Sequence, residues 1–146
     1  MDLAKYRSLF LEEGGDHLAE MGRALLVLEK EPASAEAIDL VFRMAHSIKG
    51  MAGSLGYDAI SELAHRLEDR MERVRRAGRV EAAADLPLLF RGLDGLERML
   101  AVVREHGEPP PAEPALLETL AEGATAHPAH ASARAELLKK KLHRTA

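Results

Sequence analysis

The sequence of 146 residues contains no cysteine and no tryptophan, and only 3% of it is aromatic. Without cysteine there is no disulfide framework, no thiolate metal site and no cysteine nucleophile, a composition that suits a reducing compartment. The scarcity of aromatic and β-branched residues beside abundant Leu, Ala, Glu and Arg argues against a β-sandwich or barrel and for an all-α protein. No apolar run approaches the roughly 20 residues that span a bilayer, and the opening MDLAKYRSLF mixes charge with Leu and Phe where a signal peptide would be apolar. These features predict a cytoplasmic protein with no membrane insertion. The net charge of -4 is uneven: residues 124–146 hold five Lys or Arg against Glu136 alone, a local +4 that leaves -8 on residues 1–123. An acidic body repels phosphate backbones, so nucleic acid is not an expected partner.

What is present is helical periodicity. Leu3, Tyr6, Phe10, Leu11, Leu18, Met21, Leu25 and Leu28 fall at three-to-four spacing, which predicts a long amphipathic helix from Leu3 to about Lys30. Gly14 and Gly15 interrupt it as candidate points of a local bend, and Glu31-Pro32 ends it. Ser34 is the expected N-cap of a second helix with Ile38, Val41, Phe42, Ala45, Ile48, Ala52 and Leu55 on its apolar stripe. After a turn at Ser54-Leu55-Gly56-Tyr57, Asp58 is the expected cap of a third helix buried through Ile60, Leu63, Leu67, Met71 and Val74, and Gly78 closes it. Asp85 is the expected cap of a fourth, with Leu86, Leu89, Leu93, Leu96, Leu100 and Val103, ending at Gly107 and the following prolines. Short connections force successive helices to run back along one another, so the predicted fold is an antiparallel, up-down four-helix bundle. A short fifth helix over Pro114 to Glu122 completes a domain spanning residues 1–123, and residues 124–146 read as a linker or tail, helix-prone from 131.

The segment Ala45-His46-Ser47-Ile48-Lys49-Gly50-Met51-Ala52-Gly53 sets two glycines inside a helix, where each costs about 1 kcal/mol relative to Ala. At 100° per residue His46, Lys49, Gly50 and Gly53 share one flank beside the apolar stripe, so the glycines clear side chains from the ground next to His46. On the third helix His65, Glu68 and Glu72 share a matching flank. In an antiparallel hairpin centred on Tyr57, His46 is level with Glu68, and Lys49 with His65. A carboxylate on imidazole Nδ1 fixes the tautomer and raises the basicity of Nε2, leaving that nitrogen as a nucleophile, and Lys49 offers a cation to a phosphoryl group. No Gly-rich phosphate loop, Ser with a base, or pocketed carboxylate pair accompanies them.

Blander readings exist for each residue. A His beside an apolar stripe is more often structural or solvated, Glu68 and Glu72 could form a solvated face paired with Arg75 or Arg76, and Lys49 could serve solubility. Glu62-Leu63-Ala64-His65 matches the Glu-x-x-His element of di-metal bundles, but that motif must occur twice and occurs once. His127, His130 and His143 lie in the tail, where a defined metal site is not expected. A metal-binding bundle and a helical docking module are therefore the alternatives to a phosphoryl carrier.

The run from Phe42 to Tyr57, FRMAHSIKGMAGSLGY, followed by His65-Arg66-Leu67-Glu68, resembles the histidine phosphotransfer (HPt) domain at the N-terminus of CheA-type chemotaxis kinases. The resemblance covers roughly residues 3–123. It implies that His46 is phosphorylated on Nε2 by an ATP-bound CheA-type kinase domain and passes the phosphoryl group to an aspartate of a CheY- or CheB-like receiver. It also implies that Glu68 bonds Nδ1 of His46 while Lys49 and His65 complete the network. By the same resemblance the chain holds no cofactor or metal of its own, since ATP and magnesium belong to the kinase domain and magnesium to the receiver. The chain is then a carrier and not by itself an enzyme, expected to be monomeric and to be a fragment of a longer kinase. Met51 departs from the resemblance, standing where many relatives have Gly. With Gly50 and Gly53 it is assigned to access and partner docking, its side chain offering an apolar contact that selects a receiver.

Overall fold

The computed structural model describes residues 2–122, so the expected linker or tail over 124–146 lies outside the described residues. Five helices follow in order: α1 (Leu3–Lys30), α2 (Ala35–Ser54), α3 (Asp58–Ala77), α4 (Leu86–His106) and α5 (Pro114–Ala121). The first four close a ring in which α1 packs on α2 and α4, and α3 on α2 and α4, while α5 lies against α3 and α4. This is the antiparallel bundle with a short fifth helix that the apolar spacing predicts.

Capping chemistry explains most of the boundaries. The Ser34 hydroxyl accepts from the Ala37 amide at 3.2 Å, satisfying a donor that the first turn of α2 leaves free. Gly78 and Gly107 end α3 and α4 at φ of 80° and 84°, the left-handed conformation that closes a helix and that a Cβ resists. Two caps differ from expectation. Tyr57, not Asp58, precedes α3, and Asp58 lies within the first turn, where its charge meets the helix dipole without a capping bond. Asp85 does precede α4 but does not cap it, because its carboxylate accepts from the Glu81 amide at 2.8 Å and from Arg70.

The core runs the length of the bundle, with Leu25, Leu28, Val41, Ala45, Ile48, Ile60, Leu67, Met71, Leu89, Leu96 and Val103 almost wholly enclosed. Phe42 and Leu55, expected on the buried stripe, sit half-buried at its edge. The helix α1 passes through Gly14 and Gly15 without interruption. Gly14 is a packing residue: a Cβ there would come within 3.2 Å of the Leu100 side chain. Gly92 does the same more strictly for α3 and α4, since any Cβ would fall inside the Leu67 side chain. Leu67 directly precedes Glu68, so this close approach seats the helix that carries the carboxylate.

Candidate phosphoryl-carrier site

The site lies on the α2–α3 hairpin. Gly56, at φ 76°, makes the turn between the two helices, and the register is the one that centring on Tyr57 requires. The His46 Nδ1 bonds to Oε2 of Glu68, and Arg75 approaches Asp39 at 3.9 Å in the same register. Glu68 is 7% exposed, whereas the His46 side chain is 64% exposed. The ring is thus tethered at one nitrogen to a buried acceptor, while Nε2 bonds to nothing among the described residues.

The second Glu68 oxygen, Oε1, accepts from Nζ of Lys49 at 2.6 Å. Burial alone would raise the Glu68 pKa, but the hydrogen bonds and charges of Lys49 and His46 outweigh it and hold the carboxyl below its ordinary value of 4.5. At neutral pH Glu68 is therefore a carboxylate, which can only accept, so Nδ1 of His46 carries the proton. In the neutral ring this leaves the lone pair on Nε2, in the plane of the ring.

Lys49 bonds to Glu68 and not to His65, the residue level with it. Side chains on a helix lean toward its N-terminus, so on antiparallel helices Lys49 and Glu68 lean toward each other and meet. His65 stays 54% exposed, with Nε2 3.6 Å from Asp69 one turn along its own helix. It makes no hydrogen bond to His46, Lys49 or Glu68 among the described residues, and so does not complete the network as expected. Glu72 pairs with Arg75 and Arg76, each at 3.5 Å, and stands outside the site.

The glycines differ in role. A Cβ at Gly50 would meet nothing within 4 Å, so packing does not require glycine there. At Gly53 a Cβ would meet Ser61 Oγ at 3.5 Å, an ordinary contact. Ser61 in turn donates to the Lys49 carbonyl at 3.1 Å, a tie between the helices. Met51 faces the other way, into a groove with Leu55 of α2 and Leu3, Tyr6 and Leu9 of α1, the last three of them exposed.

Among the described residues, one trio places ligand atoms within 4.8 Å of one another: His65, Glu68 and Asp69. Glu62 of the Glu-x-x-His match is not in it, pointing instead to Arg66 at 4.0 Å. Both Glu68 oxygens are already engaged by His46 and Lys49, so a cation would have to displace those bonds.

Two neighbours of the site escaped the sequence reading. His17 of α1 meets the Ser47 hydroxyl at 3.1 Å through Nε2. Phe42, four residues before His46 and therefore on the same helix face, lies nearly parallel to the imidazole at 13° with ring centroids 6.4 Å apart. The i, i+4 spacing of Phe42 and His46 was the available signal for the second; nothing local pointed to the first.

Comparison with known proteins agrees with this architecture. The sequence model of the Hpt domain family matches residues 5–106. The chain is 38% identical over 104 residues to the chemotaxis protein CheA of Halobacterium salinarum and 36% identical over 109 residues to that of Bacillus subtilis. These matches cover 70% and 74% of this chain but 15% and 16% of the relatives, so the chain spans about one-sixth of their length. Among solved structures, the phosphorylated P1 domain of CheA3 in complex with CheY6 from R. sphaeroides superposes with a TM-score of 0.71 at 27% identity, covering 80% of this chain and 92% of that one. A solution structure of the histidine phosphotransfer domain of CheA gives 0.72 at 29% identity, covering 80% and 89%. On the family match and on relatives of this similarity, the chain belongs to the Hpt domain family.

Proposed function

We propose that His46 is the phosphoryl-carrying residue of this chain, loaded by an ATP-bound CheA-type kinase domain and unloaded by an aspartate of a CheY- or CheB-like receiver domain. The observation that carries this reading is the asymmetry of the imidazole: Nδ1–H is held by an ionised, buried Glu68 while Nε2 is open to solvent. In loading, the Nε2 lone pair attacks the γ-phosphorus of ATP as the bond to the ADP oxygen breaks. The ring gains positive charge, and Glu68, fixed opposite it, stabilises that charge without reorganising. In unloading, the receiver's carboxylate oxygen attacks phosphorus, the N–P bond breaks, and the electron pair returns to Nε2. Lys49 adds a cation beside a group of charge about -2.

Glu68 thus orients and tunes, and Lys49 supplies charge. His65 stands at the rim, and its loss should cost less than that of Lys49. The catalytic machinery that cleaves ATP, with its nucleotide and magnesium, belongs to the kinase domain, and the receiver brings its own magnesium; this chain acts as carrier and substrate. The carrier unit comprises residues 1–123, with 124–146 as linker. No helix among the described residues is long and apolar enough to cross a membrane, and with ATP and receivers as partners we place the chain in the cytoplasm. Met51 adds to the apolar lining of the α1–α2 groove, which faces away from Nε2, an added contact that distinguishes receivers. Transfer from Met51→Gly to several receivers should fall unevenly; equal rates to all of them would remove this role.

The deciding experiment mixes the protein with ATP and a CheA-type kinase core that lacks its own Hpt domain, and reads acid-labile phosphate on the native chain and on His46→Gln. Label on the native chain that vanishes in the variant is expected. A cognate, active core that leaves the native chain unlabelled would overturn the carrier reading in favour of a docking module.

A further inference from the structure

The tie to Glu68 fixes one point of the His46 ring and leaves a swing about that point. The lone pair of Nε2 lies in the ring plane, so the plane sets the line along which phosphorus must approach, and in-line transfer is sensitive to such angles. A second constraint on the ring would therefore bear directly on rate. Phe42 supplies a flat neighbour one turn before His46, at 13° to it. Phe42 is half-buried, packed against the margin of the core with part of its surface left open. The guanidinium of Arg75 lies 4.4 Å from the Phe42 ring centre, a cation–π contact. Arg75 is in turn held from two helices, by Glu72 of α3 at 3.5 Å and Asp39 of α2 at 3.9 Å.

We propose that Phe42 and Arg75 are positioning residues for the phosphoryl transfer: Arg75 fixes the Phe42 ring, and Phe42 fixes the plane of the His46 imidazole and with it the direction of Nε2. The inference rests on His46 being the carrier. It gives Arg75, 42% exposed, a role beyond its ion pairs with Glu72 and Asp39.

The test uses the full chain with Phe42→Leu, Arg75→Met and Arg75→Lys. One arm follows the His46 ring protons by NMR, whose positions depend on the neighbouring aromatic ring. The other measures His46 labelling by two donors, the kinase core with ATP and phosphoramidate, a small donor that needs no docking surface. Phe42→Leu should move the His46 resonances and slow labelling by roughly fivefold to tenfold with both donors. Arg75→Met, a surface change that keeps the fold, should slow both by about threefold, with Arg75→Lys partly restoring them because the cation is kept. Unchanged resonances in Phe42→Leu, or slowing with the kinase core alone, would overturn the proposal, the latter by assigning these residues to docking. If the native chain takes no label from either donor, the carrier reading falls, and the NMR arm alone decides whether the stack orders the ring.

Discussion

Two charged side chains are buried among the described residues, Glu68 at 7% exposure and Arg70 at 3%, and they stand two positions apart on α3, pointing to different sides of it. Their surroundings differ in kind. Arg70 is enclosed with its partners: it meets Asp85 at 2.9 Å and donates to the carbonyls of Ala84, Leu120 and Glu122, clamping the entry to α4 and the end of α5 onto α3. Glu68 is buried beneath an exposed imidazole, His46, and a half-buried ammonium, Lys49. A charge walled in on every side can only hold structure. One that is buried but roofed by a solvent-facing imidazole passes its influence outward, to a ring that another molecule can reach.

The sharpest way to break this comparison is Arg70→Met. Removing one member of an enclosed pair leaves Asp85 and several carbonyls without partners, so unfolding by denaturant should show a loss of about 3–5 kcal/mol. Hydrogen exchange should rise first in α5, and any His46 labelling that survives at low temperature should proceed at the native rate. A native-like denaturation midpoint would put Arg70 on the same footing as an ordinary surface cation. Gly92→Ala probes the other support of α3: with Leu67 in the way, stability should fall by about 1–3 kcal/mol, read in the same denaturation experiment.

For Glu68→Gln the ranking inverts. Its partners can return to water, so stability should drop by only about 1 kcal/mol, while labelling of His46 should slow by roughly 10-fold to 100-fold as the ring loses its tether and its counter-charge. A large stability loss with unchanged labelling would make Glu68 a second Arg70. Acid titration sharpens the same point. Because the folded Glu68 pKa lies below its ordinary 4.5, its contribution is present above that value and is lost as pH falls through the depressed folded value. Stability plotted against pH should therefore decline less steeply below pH 4.5 in Glu68→Gln than in the native chain. The smallest effect belongs to Gly50→Ala, which should gain about 0.5–1 kcal/mol, since nothing opposes the new methyl group. Slower labelling by the kinase core despite that gain would show that the glycine serves access.

Much of this was legible in the sequence because it is local or periodic. The apolar stripes, the Ser34 cap and the closing glycines each depend on residues within one turn, and they placed α1 to α5 to within a residue or two. The His46–Glu68 pairing was legible because hairpin register follows from the position of a three-residue turn. What stayed hidden depends on side-chain direction and reach. Lys49 crossing to Glu68 instead of His65 follows from the lean of side chains along antiparallel helices, which residue levels alone ignore. Arg70 spans about fifty residues to α5, and Asp85 could be read as a cap only while that arginine was not in view. Arg75 over Phe42 likewise joins two helices through long, bendable chains that no spacing rule captures.

The imidazole of His46 offers the outside a single atom. On the proposed carrier reading, a donor must bring its phosphorus to that atom, and an acceptor must bring its carboxylate to the phosphorus then attached there, from the side opposite the N–P bond. They cannot sit there together. On that reading the site is a one-berth dock with serial traffic: an acceptor in large excess that also occupies the unloaded form blocks loading, so throughput should peak at an intermediate acceptor concentration and decline beyond it.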